Sequence, residues 1–386
     1  MSAEAWTKFC ESLLAAGRSI ETAENPSAPS VRAEGYRYLL GLVRIGIEQA
    51  AVLADRDHPR FIRIEDSFAK WGAENADNTY LHTHVHADAV YRISGTRGSC
   101  FEFLVEVKEG FMHRGAPRNF ATLCAGDLEI EPDGRFTIVV GGERRPGNFL
   151  ALHPDADQIL IRQYFEDWEH EVPATFEIER LDAIAEAPAP ASAEDVDRIL
   201  ADAGSWVEET VAFWSEWVPR VRAEFDPAAL KPARSYAGGA DDIRYGNDYY
   251  RLGEDEALLI ECDVPRARYW HFQLCNLWFV TTDYAHRQTS LNDHQMHVDA
   301  DGRFRCVVAH RDPGVPNWLD TAGASEGVIQ YRWIWTEDNP QPDVRIVPFA
   351  EVRDALPAHT PVVRPEQRRA TLLARRRHVS RRERLG

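Results

Sequence analysis

The residues best suited to chemistry form a run of alternating polar side chains, with three histidines in five positions. Alternate side chains of a β-strand point to one face, so the run predicts a polar face. Its members are Tyr80, His82, His84, His86 and Asp88. Leu81 and Val85, which lie between them, are expected to face a hydrophobic core. Such a face supplies imidazole groups for acid–base chemistry or metal binding.

A divalent metal site is one hypothesis for this face. Two histidines at alternate strand positions can bind one ion, so His82 and His84 are the candidate metal ligands. His82 and His86 would lie about 13 Å apart, too far to share ligand bonds of about 2.1 Å. The candidates for a further ligand are His271, Asp293, His294 and His297. The competing interpretation is an interface face without metal, where histidines form hydrogen bonds or transfer protons.

A second polar cluster lies in the C-terminal half, on a predicted strand and the loop after it. His271, Gln273 and Cys275 share a strand face, and Asp283 in the loop could pair with a histidine for general acid–base catalysis. The candidate catalytic residues are therefore His82, His84, His271 and Asp283. The candidate substrate-binding residues are Tyr80, His86, Gln273, Asn276, Trp278, Tyr284, Arg287 and Asn292. The competing interpretation is a loop whose polar groups bond to nearby backbone.

Hydrophobic periodicity divides the chain into helical and β-rich regions. The predicted order is a helical segment 1–60, a first β-sandwich domain 61–185, a linker and helix 186–235, a second β-sandwich domain 236–350 and a basic helical tail 351–386. Pro and Ala at 186–191 indicate the linker. Ser192 and Asp195 predict a capping box at the following helix. Asp133-Gly134 predicts a type I′ hairpin turn, which needs positive φ at both residues.

The two β-rich regions repeat one another in four ordered blocks. Residues 131–136 correspond to 299–304, 145–150 to 314–319, 159–164 to 329–334, and 91–93 to 269–271. The repeat predicts a mainly β fold with flanking helices, in which two tandem, internally related jelly-roll-like β-sandwich domains pack about a pseudo-two-fold axis. A small-molecule pocket is expected at their interface.

The C-terminal half resembles the DUF1214 domain family over residues 240–340. The features that carry the resemblance are Asp263-Val-Pro265, Tyr269-Trp-His-Phe-Gln273, Asp299-Ala-Asp-Gly302, Asp312-Pro313, Asn317-Trp-Leu-Asp-Thr321 and Arg332. The first half is similar to the region that accompanies such domains, and to the related DUF1254 β-sandwich, through Asp77-Asn-Thr-Tyr80 and residues 91–98. The resemblance implies a tandem jelly-roll-like fold and transfers no catalytic residue.

Charge is distributed unevenly along the chain. The formal net charge is −18, yet residues 364–386 hold nine Arg and two Glu. An acidic body disfavours nucleic acid, so no nucleic-acid partner is expected. The basic tail could contact RNA or an acidic membrane, but the favoured interpretation is a helix that packs on its own acidic body or on a partner subunit, which would support a homo-oligomer.

Several other classes of protein are disfavoured by the sequence. There is no apolar run of about 18 residues and no signal-peptide pattern, so no membrane span is expected. Six scattered cysteines without paired spacing indicate thiols in a reducing cytoplasm. Without phosphate-binding loops or a dinucleotide fingerprint, no nucleotide cofactor is expected; the cofactor is either none or a divalent metal.

Three functional hypotheses follow. The first is a cytoplasmic protein that acts on a small molecule between its β halves, as a hydrolase or lyase using His and Asp acid–base chemistry on a hydroxylated or glycosidic substrate. The alternative is a non-catalytic glycan- or lipid-binding β-sandwich protein, with Trp206, Trp214, Trp217 and Trp278 as the binding rings. The third is a structural subunit that docks through its basic tail.

Overall fold

The fold is mainly β with flanking helices and contains two related β domains in tandem. The computed structural model describes residues 3–24, 28–182, 187–188, 190–236 and 243–384. Residues 186 and 189 of the predicted linker lie outside the described residues. The helices are α1 (Ala3–Thr22), α2 (Pro29–Glu48), α3 (Ala193–Ser215), α4 (Trp217–Ala223), α5 (Val352–Ala355) and α6 (Pro365–Arg384). Within these ranges, no helix is long and apolar enough to cross a bilayer.

The first half contains eight strands in two four-stranded sheets. They are β1 (Asn78–His84), β2 (Tyr91–Thr96), β3 (Glu102–Lys108), β4 (Asn119–Cys124), β5 (Arg135–Val140), β6 (Phe149–Leu150), β7 (Gln158–Tyr164) and β8 (Thr175–Arg180). One sheet has the order β1-β7-β3-β4 and the other β6-β5-β2-β8. Only the edge pair β5–β6 is parallel among these pairings. The buried side chains of both sheets meet in one core that includes Leu81, Phe103 and Phe136.

The second half has the same strand arrangement. Its strands are β9 (Ile243–Arg251), β10 (Glu256–Asp263), β11 (Ala267–Cys275), β12 (Ser290–Asn292), β13 (Arg303–Ala309), β14 (Trp318–Asp320), β15 (Glu326–Thr336) and β16 (Asp343–Pro348). The sheet orders β12-β11-β15-β9 and β14-β13-β10-β16 match those of the first half strand for strand. The parallel edge pair recurs as β13–β14. The predicted tandem of related β domains is therefore confirmed.

Two repeated side-chain details explain why the sequence blocks align. Asn148 donates from Nδ2 to the carbonyls of Glu129 and Thr137, and its Oδ1 accepts from Glu129 N. Asn317 makes the equivalent bonds to His297 and Arg305. Each asparagine side chain thus connects the start of the edge strand to backbone groups that would otherwise lack a hydrogen-bond partner. This role is structural.

Two details predicted from the sequence are wrong. Of the Asp133-Gly134 pair only Gly134 has positive φ (86°), and Gly134 N donates to Glu131 O, so the turn is not type I′. Residues 91–93 lie in β2, whose counterpart is β10, whereas residues 269–271 lie in β11, the counterpart of β3. The match between these two aromatic segments does not reflect equivalent strands.

Helices α1 to α4 form a layer against one end of the two halves. α2 and α3 share a hydrophobic cluster with Trp71 and with residues 277–280, which follow β11. At the start of α3, Ser192 accepts from Asp195 N and Asp195 accepts from Ser192 N, so the predicted capping box is confirmed. This layer closes one side of the space between the halves.

The basic helix α6 packs on the body of its own chain. Arg368 pairs with Asp312 at 3.0 Å, and Arg375 donates to Ser290 Oγ at 2.6 Å, both in the second half. Arg382, fully buried, donates to Ala76 O in the first half. The predicted packing of the tail on its own body is confirmed, because these arginines bind groups of the same chain. A homo-oligomer through the tail stays a prediction.

Candidate functional site

A cavity of about 210 Å³ lies between the two halves. Its walls come from the β1-β7-β3-β4 sheet and from the β12-β11-β15-β9 sheet, which we call the two inner sheets. These sheets also share a buried cluster with Leu104 and Tyr164 from one and Tyr269 and Ile334 from the other. Trp214 and Trp217 of the helical layer cover the cavity. An outer groove of about 570 Å³ shares Trp217, Tyr236, Tyr245 and Asn247 with it.

The repeat places the same pair of side chains on both walls. Tyr80 on β1 is the register partner of Arg162 on β7, and the Arg162 guanidinium lies 5.7 Å from the Tyr80 ring centroid. In the second half, Tyr245 on β9 is the partner of Arg332 on β15, at 5.4 Å. All four residues line the cavity. The internal duplication therefore delivers two Tyr–Arg pairs to one site.

Two residues further along these strands, on the same face, the two walls differ. His82 is opposite Leu160 in the first half, and the equivalent pair in the second half is Asn247 opposite Gln330. Gln330 donates to Asn247 Oδ1 at 2.9 Å and accepts from Gln273 Nε2 at 2.6 Å. One wall thus offers an imidazole, and the other offers a fixed pair of amides.

His82 is held by a carboxylate from an irregular segment before β1. His82 Nε2 lies 3.1 Å from Glu65 Oε2, and its Nδ1 lies 3.4 Å from Gln158 Oε1. Both side chains of the Glu65–His82 pair are more than nine-tenths buried and both line the cavity. An imidazole oriented by a carboxylate in the wall of a cavity is an arrangement suited to general acid–base catalysis.

The first wall also carries cations. Arg162 pairs with the fully buried Glu106 at 3.2 Å, so its charge has a partner. Lys108 lines the cavity at 8% exposure, and burial lowers the pKa of its ammonium. Glu106 acts on Lys108 only at longer range, and among the described residues no side chain lies within hydrogen-bond or ion-pair distance of Lys108 Nζ.

On the second wall, Arg332 is held by neutral groups. It donates to His271 Nε2 at 2.8 Å and to Ala73 O at 2.5 Å. Burial, and secondly the nearby Arg332 charge, lower the pKa of His271 well below its ordinary value, so this histidine is neutral. His271 Nδ1 faces Asp77, 3.7 Å away. His271 is therefore a positioning residue behind Arg332 and does not line the cavity.

The backbone beside Arg332 is strained. Ala73 (φ 52°) and Phe279 (φ 54°) both adopt the left-handed conformation and are joined by a hydrogen bond from Ala73 N to Phe279 O at 2.7 Å. Both residues line the cavity. Such conformations cost about 1–3 kcal/mol each and cluster at ligand-binding and active sites.

Aromatic rings form the remaining wall. Phe279 stacks on Trp214 at 5.6 Å and lies 5.5 Å from Trp217. Trp71 and Phe111 lie 6.3 Å apart, edge to face, and both lie beside the His82 ring, at 6.1 and 6.2 Å. The site therefore combines an apolar surface with a few placed polar groups, as small-molecule sites do.

The structure separates the four predicted catalytic residues. His82 lines the cavity and His271 lies one layer behind it. His84, at the end of β1, bonds to Asp157 at 2.7 Å and to Gln49 at 3.0 Å, outside the cavity lining. Asp283 does face a histidine, but that residue is His286, on an exposed loop. The predicted grouping of these residues is wrong because β1 ends at His84 and the loop after β11 turns away.

Most of the predicted substrate-binding residues have structural roles. Tyr80 lines the cavity, and Gln273 supports it through Gln330. The remainder lie elsewhere: His86 beside Asp57 past the end of β1, Asn276 in its own turn, Trp278 and Tyr284 in hydrophobic cores, Arg287 on Asp320, and Asn292 on Asp77. The placement of His86 and Asp88 on the strand face is also wrong, because both follow the strand.

His82 and His84 do not point at a common metal position. Their ring nitrogens face different partners, Glu65 and Gln158 for His82, and Asp157 and Gln49 for His84. In the part of the chain that the structure describes, no group of three or more His, Cys, Asp or Glu side chains is arranged to hold a metal ion.

Sequence reasoning missed Glu65, Lys108, Arg162 and Arg332 as site residues. The repeat aligns Arg162 with Arg332, and that alignment could have identified these two arginines. Glu65 lies in an irregular segment and Lys108 at the end of a strand that is buried on both faces. Neither position has a periodic pattern that marks it as polar.

The chain is similar to one solved structure over nearly its whole length. An uncharacterized protein from Burkholderia cenocepacia shares 36% identity at a TM-score of 0.86, covering 91% of this chain and 98% of that one. A protein from Vibrio parahaemolyticus aligns at 11% identity and a TM-score of 0.45, covering 81% and 98%. No family model and no curated protein matches the chain.

Proposed function

We propose that this chain, which belongs to the same family as the Burkholderia cenocepacia protein, acts on a small molecule by acid–base chemistry in the cavity between its halves. The observation that carries the proposal is the buried Glu65–His82 pair, 3.1 Å apart, in the wall of that cavity. The reaction class is hydrolysis or elimination, because both need a proton to be removed and another delivered.

The pair can perform both transfers. With its Nε2–H donated to Glu65, His82 takes a proton at Nδ1 from the attacking water in a hydrolysis, or from a carbon in an elimination, and Glu65 stabilises the imidazolium that forms. The same proton is returned to the leaving oxygen, so an elimination releases one water. The Asn247–Gln330 amides on the other wall suit a hydroxylated or glycosidic substrate, because amides bind hydroxyl groups as both donors and acceptors.

Proton transfer can be tested without knowledge of the substrate. The chain is incubated in D₂O with a panel of hydroxylated carboxylates and glycosides, and ¹H NMR follows loss of substrate and entry of deuterium. We expect at least one compound to react, and His82→Gln to slow that reaction by about 10²–10⁴-fold. Glu65→Gln is expected to slow it less, because the imidazole remains.

His286→Gln is the matched control. His286 also faces a carboxylate, Asp283 at 3.0 Å, but it is exposed and lies outside the cavity. It is expected to react at the rate of the unaltered chain. Equal rates for His82→Gln and His286→Gln would overturn the acid–base proposal.

A second candidate function is binding of a glycan or lipid without reaction. It is favoured by Trp214 and Trp217, which line the cavity, whereas Trp206 and Trp278 are buried in the helical layer. Binding to the panel, measured calorimetrically, with no compound consumed over days would select this function over catalysis.

Location and assembly extend the proposal. Cys262, Cys275 and Cys306 are buried thiols, and burial raises the pKa of each, which suits the cytoplasm predicted from cysteine spacing. A homo-oligomer formed through the basic tail would use the outer face of α6, where Arg369, Arg376 and Arg377 are exposed. Light scattering of the full chain measures that.

A further inference from the structure

We infer that the cavity binds a monocarboxylate with an apolar, aromatic body. The inference rests on the proposed function for the location of the site, and adds the class of substrate. It is carried by two cavity-lining cations, Lys108 and Arg332, for which the described part of the chain provides no carboxylate within ion-pair distance, beside a wall of aromatic rings.

The balance of charge in the cavity wall favours one negative charge. The charged residues that line it are Glu65, Glu74, Lys108, Arg162 and Arg332. Behind them, Lys70 lies 3.5 Å from Glu74, and Glu106 pairs with Arg162. The positive charge of Lys70 and the negative charge of Glu106 cancel in the total. In the lining itself, three cations therefore face two carboxylates. A bound monoanion would balance the wall, whereas a dianion would reverse its sign.

Lys108 and Arg332 are also deeply buried, so the lack of a carboxylate partner makes their charges costly. Lys108 is 8% exposed and Arg332 is 6% exposed. Arg332 donates only to the neutral His271 ring and to the Ala73 carbonyl, and among the described residues no carboxylate reaches either cation. An uncompensated charge in a low-dielectric site is unfavourable, so an anion that enters the cavity gains strongly from contact with it.

The rest of the cavity sets the size and polarity of the ligand. Phe279, Trp214 and Trp217 provide stacked and tilted rings 5.5–5.6 Å apart. A cavity of about 150 Å³ lined by apolar side chains accepts benzene. The present cavity of about 210 Å³ has room for one ring with a short acid side chain.

Isothermal titration calorimetry with three compounds of equal shape tests the charge. They are 3-phenylpropanoate, 3-phenylpropanamide and 3-phenylpropylamine, titrated into the full chain at pH 7. We expect the acid to bind, the amide to bind at least tenfold more weakly, and the amine not to bind. Equal affinity for acid and amide, or no binding of the acid, would overturn the inference.

Two variants locate the contact. Lys108→Met and Arg332→Met are each expected to weaken acid binding at least tenfold and to leave amide binding within about twofold, which shows that the cavity is still formed. Lys8→Met, which removes an exposed lysine on α1, is the matched control. If Arg332→Met does not fold, Lys108→Met and the three compounds decide. Acid binding by Lys108→Met as tight as that of the unaltered chain refutes the assignment.

The result is separable from the catalytic proposal. A chain that binds the acid selectively but consumes no compound in D₂O keeps the substrate class and loses the acid–base function. A chain that consumes neutral glycosides and binds acid and amide equally keeps the function and loses the substrate class.

Discussion

Asp77, just before β1, accepts three side-chain hydrogen bonds, two of which join the two halves. Its Oδ2 accepts from Tyr269 Oη at 2.6 Å, and its Oδ1 accepts from Trp168 Nε1 at 2.9 Å and from Asn292 Nδ2 at 3.0 Å. Asp77 is fully buried, and Tyr269 and Asn292 belong to the other half. Since Asp77 also faces His271, which holds Arg332, its loss should loosen both the interface and the site.

The expected cost follows from the donors that would lose this acceptor. Asp77→Ala removes the acceptor of Trp168 Nε1 and leaves Tyr269 Oη and Asn292 Nδ2 with their longer bonds to Asn75 Oδ1 and to the Phe165 and Glu166 carbonyls, so we expect a loss of about 2–4 kcal/mol. Asp77→Asn should cost less than half of that. Its amide oxygen keeps two of the bonds, and Tyr269 Oη can turn to Asn75 Oδ1, 3.3 Å away. Burial raises the pKa of Asp77, so a neutral side chain also avoids part of the cost of a buried charge.

Urea unfolding, followed by circular dichroism at pH 7, measures the free energy of unfolding for both variants. Asp88→Ala, at an exposed position, is the control and should lie within about 0.5 kcal/mol of the unaltered chain. The reasoning fails if Asp77→Ala costs less than about 1 kcal/mol, or if Asp77→Asn is as damaging as Asp77→Ala.

The remaining predictions concern pH and packing. Burial raises the pKa of Glu166 to about 9 and that of Asp293 to about 7, so the folded chain holds protons that the unfolded chain releases above about pH 4. Below about pH 7 the buried His113, His271 and His378 act in the opposite sense, because burial lowers the pKa of each. Stability should therefore decline as pH rises from about 7 to 9; urea midpoints at pH 7, 8 and 9 check this, and a rising midpoint contradicts it. Gly246→Ala should cost about 3 kcal/mol or more, because the new Cβ would lie 1.9 Å from the Tyr331 ring, whereas Gly17→Ala on α1, with open space around it, should be neutral or stabilising.

Much of the fold could be predicted because its signals are local. The turn at Gly302 and the asparagine bonds of Asn317 recur in the first half at fixed spacing, so the repeat is visible in the sequence. Ser192 and Asp195 specify a capping box within four residues. Short edge strands such as β6 and β12 were missed, since two or three residues carry no periodicity.

The site was harder to predict because its parts meet only through tertiary structure. The alternation from Tyr80 to Asp88 correctly placed Tyr80 and His82 on one face, but could not show that the strand ends at His84. Glu65 reaches His82 from seventeen positions earlier in the chain, along a segment with no pattern. Arg162 and Arg332 were visible as a repeated feature, and repeated features favour a scaffold role unless the copies face each other, which only the packing of the halves reveals.

The difference in charge between the two walls can be traced to one position of the duplicated strand. Glu106 on β3 is the register partner of Leu160, and Gln273 on β11 is the partner of Gln330, so Glu106 and Gln273 are equivalent. Glu106 neutralises Arg162, whereas Gln273 spends its amide on Gln330 and the Glu74 carbonyl. The charge of Arg162 is therefore balanced by a carboxylate, whereas that of Arg332 is not. The two halves supply equivalent Tyr–Arg pairs. A carboxylate stands beside the first pair, and an amide stands at the equivalent position beside the second. The first arginine therefore serves the scaffold, whereas the second is placed to bind an anion.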